Sequence, residues 1–99
     1  MDEIGALRQR IDALDVELVM LLNERAVCAM AIGRLKARAA LPIYEPGREA
    51  QVLANVTAAS RGPLDADALR RVFERIIDEA RRLQRVGPDG PAAPGMSGR

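Results

Sequence analysis

The sequence predicts an all-α chain of three helices, the first very long, assembled as an intertwined two-fold homodimeric bundle. Three observations lead there. Apolar residues recur at spacings of three and four from the N terminus to about residue 39. Pro and Gly interrupt the pattern at Leu41-Pro42-Ile43-Tyr44-Glu45-Pro46-Gly47 and again at Ser60-Arg61-Gly62-Pro63. No stretch alternates with period two, so no sheet is expected.

The first helix is expected over about residues 2–39. Its seam is Ile4, Leu7, Ile11, Leu14, Leu18, Leu21, position 25, Cys28, Ile32 and Leu35, a heptad pattern. Gly33 falls inside it, at a cost of about 1 kcal/mol relative to Ala. The second helix is expected over about 46–60, with Pro46 in its first turn and Val52, Leu53 and Val56 as a short stripe. The third is expected over about 65–85. Asp65 can cap it, and Leu69, Val72, Phe73, Ile76, Ile77, Ala80 and Leu83 share a face. These helices make one folded unit over residues 1–86. The 13 residues 87–99 hold four of the eight Gly and three of the six Pro, a composition expected of a disordered tail.

Size dictates the assembly. A helix over residues 2–39 is roughly 55 Å long. A compact chain of 99 residues has a radius of gyration near ~13 Å, hence a diameter of about 30–35 Å. The long helix therefore overhangs its own domain with its apolar seam uncovered, and a second copy is the natural cover. The alternatives are a plain coiled-coil dimer, or a first helix bent back near Gly33.

Composition excludes several functions. Aromatics make up 2% of the chain (Tyr44 and Phe73), so base stacking is not a main activity. Fifteen basic and 14 acidic residues give no excess charge for nucleic-acid binding. With no His and one Cys, the usual zinc sites, His-based catalysis and a disulfide framework are excluded. No membrane span is expected, because no apolar run reaches 18 residues. The start Met1-Asp2-Glu3 does not read as a signal peptide. Cys28 can stay a free thiol, which suits a cytoplasmic location.

Polar groups in phase with the apolar stripes are the informative ones, since a buried charge needs a partner or a ligand. Arg25 occupies a seam position: either it snorkels to water or selects a partner helix, or it binds an anion in a cavity. Lys36, 11 residues on, shares its face roughly 16 Å away; alone it reads as a solvated charge. Arg48 and Glu49 precede Val52 by one turn, near a helix N terminus that favours anions; the other reading is a capping turn with a surface ion pair. Gln84 ends the third stripe, as a buried amide or as part of a fraying turn. Arg8 borders the seam roughly 25 Å from Arg25. It cannot easily reach the same site in its own chain, but a partner's Arg8 could. Together these residues describe a pocket for a small, multiply anionic ligand. They include no nucleophile with a base, no metal cluster and no Gly-rich phosphate loop, so an enzyme built this way would work by orientation and electrostatics.

Three stretches carry a family resemblance: Leu7-Arg8-Gln9-Arg10-Ile11-Asp12-Ala13-Leu14-Asp15; Leu21-Leu22-Asn23-Glu24-Arg25 followed by Ile32-Gly33-Arg34-Leu35-Lys36; and Pro42-Ile43-Tyr44-Glu45-Pro46-Gly47-Arg48-Glu49. In order and spacing the chain resembles the all-helical, AroQ-class (type II) chorismate mutases over about residues 4–85. The resemblance implies an interlaced three-helix dimer with two active sites. It also implies the Claisen rearrangement of chorismate to prephenate in phenylalanine and tyrosine biosynthesis, without cofactor or covalent intermediate. Arg25 and the Arg8 of the second copy would bind the two substrate carboxylates. Lys36 would hold a carboxylate and donate to the ether oxygen, Arg48 would support the site near the ring carboxylate, Glu49 would accept from the ring hydroxyl, and Gln84 would donate to the ether oxygen. Glu45 stands where a shorter Asp is frequent, with the ring hydroxyl or Lys36 as its contact. Ala80 stands where some members carry a Ser that touches a carboxylate. The same fold admits an isochorismate pyruvate lyase, an aminodeoxychorismate mutase, or a non-catalytic dimerisation or regulatory module. A complex with another shikimate-pathway enzyme is also compatible with it.

Overall fold

The computed structural model describes residues 2–86. The expected tail, 87–99, lies outside them. The chain forms three helices: α1 over Glu3–Arg38, α2 over Pro46–Ala59 and α3 over Ala66–Val86. Among the described residues there is no strand.

Each helix begins where local chemistry satisfies or removes the N–H groups left free by the first turn. The Asp2 carboxylate caps α1, accepting from the Gly5 N–H at 2.9 Å. Pro46 opens α2 and has no N–H to leave unsatisfied. Asp65 caps α3, accepting from the Ala68 N–H at 2.8 Å.

α1 ends in a Schellman turn. The Leu41 N–H donates to the Lys36 carbonyl at 2.8 Å, and the Ala40 N–H donates to the Ala37 carbonyl at 3.2 Å. Ala40 takes the left-handed conformation this turn requires, with φ of 57°, a position usually filled by Gly. The reversal directs Ile43 and Glu45 back over the last turn of α1.

α1 runs through Gly33 as one unbroken helix, so it is not folded back there. Gly33 instead marks where α3 crosses. A Cβ built on it would meet the Cβ and Cγ of Gln84 at 3.1 Å. Ala29 and Gly33, one turn apart, are the buried residues of α1. The cost of a helical Gly is thus offset by close approach of the two helices. α3 packs against the C-terminal half of α1 on one side and against α2 on the other. Along α3, Leu69, Phe73, Ile76, Ile77, Ala80 and Leu83 are half-buried as expected. Val72 departs from that face and is 51% exposed, because it sits at the rim of the stripe.

The overhang is present. The described residues measure 57 × 39 × 17 Å with a radius of gyration of 16.9 Å, well above the ~13 Å of a compact chain of about 100 residues. Every residue from Ala6 to Glu24 is exposed. Ala29, at 9% exposure, is the one buried hydrophobic side chain among the described residues. A single copy therefore has almost no core, although its seam is in place. None of the helices among the described residues is long and apolar enough to cross a membrane.

Candidate active site

Where α3 crosses α1, with α2 and the loop after α1 closing one side, lies a hollow of about 310 Å³. α1 contributes Arg25, Cys28, Ala29, Ile32 and Lys36 to its wall. The loop and first turns of α2 contribute Ile43, Glu45, Arg48, Glu49 and Val52, and α3 adds Ile77, Ala80, Arg81 and Gln84. Six of the seven residues singled out in the sequence thus converge from three elements. The seventh, Arg8, is exposed on the overhang, 17 residues before Arg25 and roughly 25 Å away along the axis.

Lys36 and Glu45 form an ion pair, so the longer glutamate spans the distance. The Lys36 ammonium also donates to the Ile43 carbonyl at 3.3 Å. An ammonium has three N–H groups. Two are engaged here, and the third is left for the hollow. Gln84 is held in the same manner. Its Nε2 donates to the Ala29 carbonyl at 2.8 Å, which fixes the sense of the amide and leaves the second N–H free. Ala29 and Lys36 lie four and three residues on either side of Gly33, on the face that Gln84 covers.

Arg48 is exposed at the rim and donates to the Gln51 side chain at 2.8 Å. Among the described residues, Arg25 is half-buried and makes no hydrogen bond or ion pair. Ala80 presents only a methyl group, so no hydroxyl stands at that wall.

Sequence reasoning does not find Arg81. It forms an ion pair with Glu49, and its guanidinium lies 5.0 Å from the Tyr44 ring centroid, a cation–π distance. Its pKa is raised, chiefly by the hydrogen bond to Glu49. A signal was available: Ile77, Arg81 and Gln84 follow i, i+4, i+7 spacing and share a face. In sequence, Arg81 reads as one of the charges beside Arg82 and Arg85.

Four cations and two carboxylates line the hollow, which leaves two positive charges. Each carboxylate is matched to a cation, Glu45 to Lys36 and Glu49 to Arg81. The two guanidiniums without a carboxylate are Arg25 and Arg48. Among the described residues no cluster of His, Cys, Asp and Glu is suited to a metal.

The fold and the site define an all-helical protein with a small hollow of net positive charge, walled by hydrogen-bond donors from three elements. Residues 7–85 match the family model described as chorismate mutase type II, and the chain belongs to that family. It is 37% identical over 100 residues to a bifunctional chorismate mutase/prephenate dehydratase of Pseudomonas aeruginosa; the alignment covers 90% of this chain and 27% of that protein. The chain thus spans about a quarter of that relative's length. It is 38% identical over 85 residues to a 4-amino-4-deoxychorismate mutase of Streptomyces pristinaespiralis, covering 84% of this chain and 65% of the other. Among solved structures, a chorismate mutase from Thermus thermophilus superposes with a TM-score of 0.83 at 36% identity, covering 85% of this chain and 96% of that one.

Proposed function

We propose that this chain is a chorismate mutase acting over residues 1–86 in aromatic amino acid biosynthesis, and that the hollow is its active site. The carrying observation is the pair of guanidiniums, Arg25 and Arg48, left without carboxylates in a cavity of net positive charge. A ligand with two carboxylates supplies what they lack. Arg25, half-buried and without a partner among the described residues, has no use in a plain scaffold, which weighs against a non-catalytic module.

The reaction is internal to the substrate. The ether C–O bond breaks as a C–C bond forms between the enolpyruvyl arm and the ring, and partial negative charge grows on the ether oxygen. The spare N–H groups of Lys36 and Gln84 supply donors for that charge. Donors fixed before the reaction stabilise the transition state more than the ground state. Arg25 and the Arg8 of a second copy hold the two carboxylates, with Arg48 supporting the site near the ring carboxylate, so that the arm lies over the ring, and Glu49 accepts from the ring hydroxyl. No group leaves the molecule, so no cofactor is needed.

The second copy of the chain completes the site. It covers the exposed seam from Ile4 to Leu21, where each aliphatic side chain contributes roughly 1 kcal/mol on burial, and its Arg8 reaches the substrate carboxylate farthest from Arg48. A cytoplasmic location and a complex with another enzyme of the shikimate pathway fit this assignment.

The 4-amino-4-deoxychorismate mutase relative favours a second reading, in which the ring substituent is an amine. The purified chain is incubated separately with chorismate, isochorismate and 4-amino-4-deoxychorismate, and the products are identified. Prephenate from chorismate is expected, with turnover reduced by roughly 10²-fold or more in Arg25→Ala. Absence of prephenate would refute the assignment, and pyruvate with salicylate from isochorismate would replace it by the lyase.

A further inference from the structure

Arg81 takes no direct part in the rearrangement, yet it lines the same hollow. We propose that Arg81, through its ion pair with Glu49, is a specificity-determining residue that makes the site select a neutral hydroxyl over an ammonium group on the substrate ring. The proposal rests on the mutase assignment and concerns the one substituent that separates two near-isosteric substrates.

A lone glutamate at this wall would favour the amine. A primary amine is an ammonium near neutral pH, and ammonium–carboxylate hydrogen bonds are stronger than those from a neutral hydroxyl. Arg81 reverses that preference. Its guanidinium engages Oε2 of Glu49, leaving the carboxylate as an acceptor whose charge is already matched. A hydroxyl can still donate to a free lone pair. An ammonium arriving there would share the carboxylate with a guanidinium, and like charges a few ångströms apart repel strongly in a partly dry site.

The guanidinium has little freedom to withdraw. The Tyr44 ring covers it at 5.0 Å, tying the loop after α1 to α3. Its other acidic neighbour, Asp78, is 3.8 Å away, so Glu49 remains the main partner. Nor does the rest of the wall offer an ammonium a place. Glu45 is paired with Lys36, and the remaining charged groups, Arg25 and Arg48, are cations. Both carboxylates of the hollow are thus already occupied.

The test compares kcat/KM for chorismate and for 4-amino-4-deoxychorismate in the full chain and in Arg81→Met, Arg81→Gln and Arg81→Lys, with folding checked by circular dichroism. Wild type is expected to prefer chorismate by about tenfold or more. Arg81→Met should move the ratio toward the amine by about tenfold. Arg81→Gln, which keeps a donor to Glu49 without the charge, should move it the same way and serves if Arg81→Met does not fold. Arg81→Lys should retain the wild-type preference. Both constants falling in parallel, with the ratio unmoved, would overturn the selectivity while leaving the mutase assignment standing. Wild type inert toward both substrates would overturn the assignment, and the selectivity with it.

Discussion

At Gln84, one side chain joins packing to the proposed chemistry. Its Cβ and Cγ fill the space opened by Gly33, and its amide is locked on the Ala29 carbonyl. An amide donates at every pH, whereas a carboxyl group donates only when protonated. Gln84→Glu should therefore be active on the acid side and lose kcat/KM as pH rises through the pKa of the new carboxyl. Its ordinary value is ~4.3. Burial, the facing Ala29 carbonyl and the Glu45 and Glu49 carboxylates of the same hollow raise it, while the cations Arg25, Lys36, Arg48 and Arg81 lower it. Profiles measured from about pH 4.5 to 8 should slope downward in the variant and not in wild type. A variant profile parallel to wild type would remove Gln84 from the donors. Arg81 adds no slope in this window. Its raised pKa makes its contribution fully present below the ordinary arginine value, which lies far above any working pH. This scale also separates what the sequence discloses from what it hides. Arg25 and Gln84 stand out because each interrupts an apolar stripe. Arg81 shares the face of Gln84 but sits among Arg82 and Arg85, and helical periodicity reports which face a residue occupies but not that Glu49, 32 positions away, stands opposite.

At the scale of elements, helix limits are legible because their causes are local. Capping by Asp2 and Asp65, Pro46 at a first turn and the apolar period depend on neighbours within about four positions. The crossing at Gly33 is not legible, since its cause is Gln84, a side chain from the far end of the described chain. The same interior glycine suggests a bend as readily as a close approach. The end of α1 carries a local cost. Ala40 holds the left-handed position of the Schellman turn, which costs an L-residue roughly 1–2 kcal/mol. Gly there relieves that strain but gives part of the gain back through the unfolded chain. Ala40→Gly should therefore stabilise the protein by about 0.5–1 kcal/mol. Thermal unfolding of both proteins at equal chain concentration should show Tm raised by a few degrees, with kcat/KM for chorismate within about twofold of wild type. A lower Tm would mean that the methyl group of Ala40 packs on something that outweighs the strain.

At the scale of the whole molecule, a single copy is poorly closed. Its longest dimension, 57 Å, is one helix, and the apolar seam on that helix faces outward from Ile4 to Leu21. The same overhang carries Arg8. Covering the seam and bringing Arg8 to a site would both be met by one event, the docking of a second chain in the opposite sense. In such a dimer each site would take Arg25 from one chain and Arg8 from the other. Arg8→Ala and Arg25→Ala should each be nearly inactive alone. Mixed, unfolded and refolded together, they should regain about a quarter of wild-type activity, because half the dimers formed at random are mixed and each mixed dimer holds one site with both arginines and one with neither. Sedimentation should give the mass of two chains at micromolar concentration for wild type and both variants. Mixed dimers verified by mass spectrometry yet inactive would place Arg8 outside the site, and a compact monomer would dissolve the shared site altogether. Recovery near a quarter would mean that the seam and the site are completed by the same second chain.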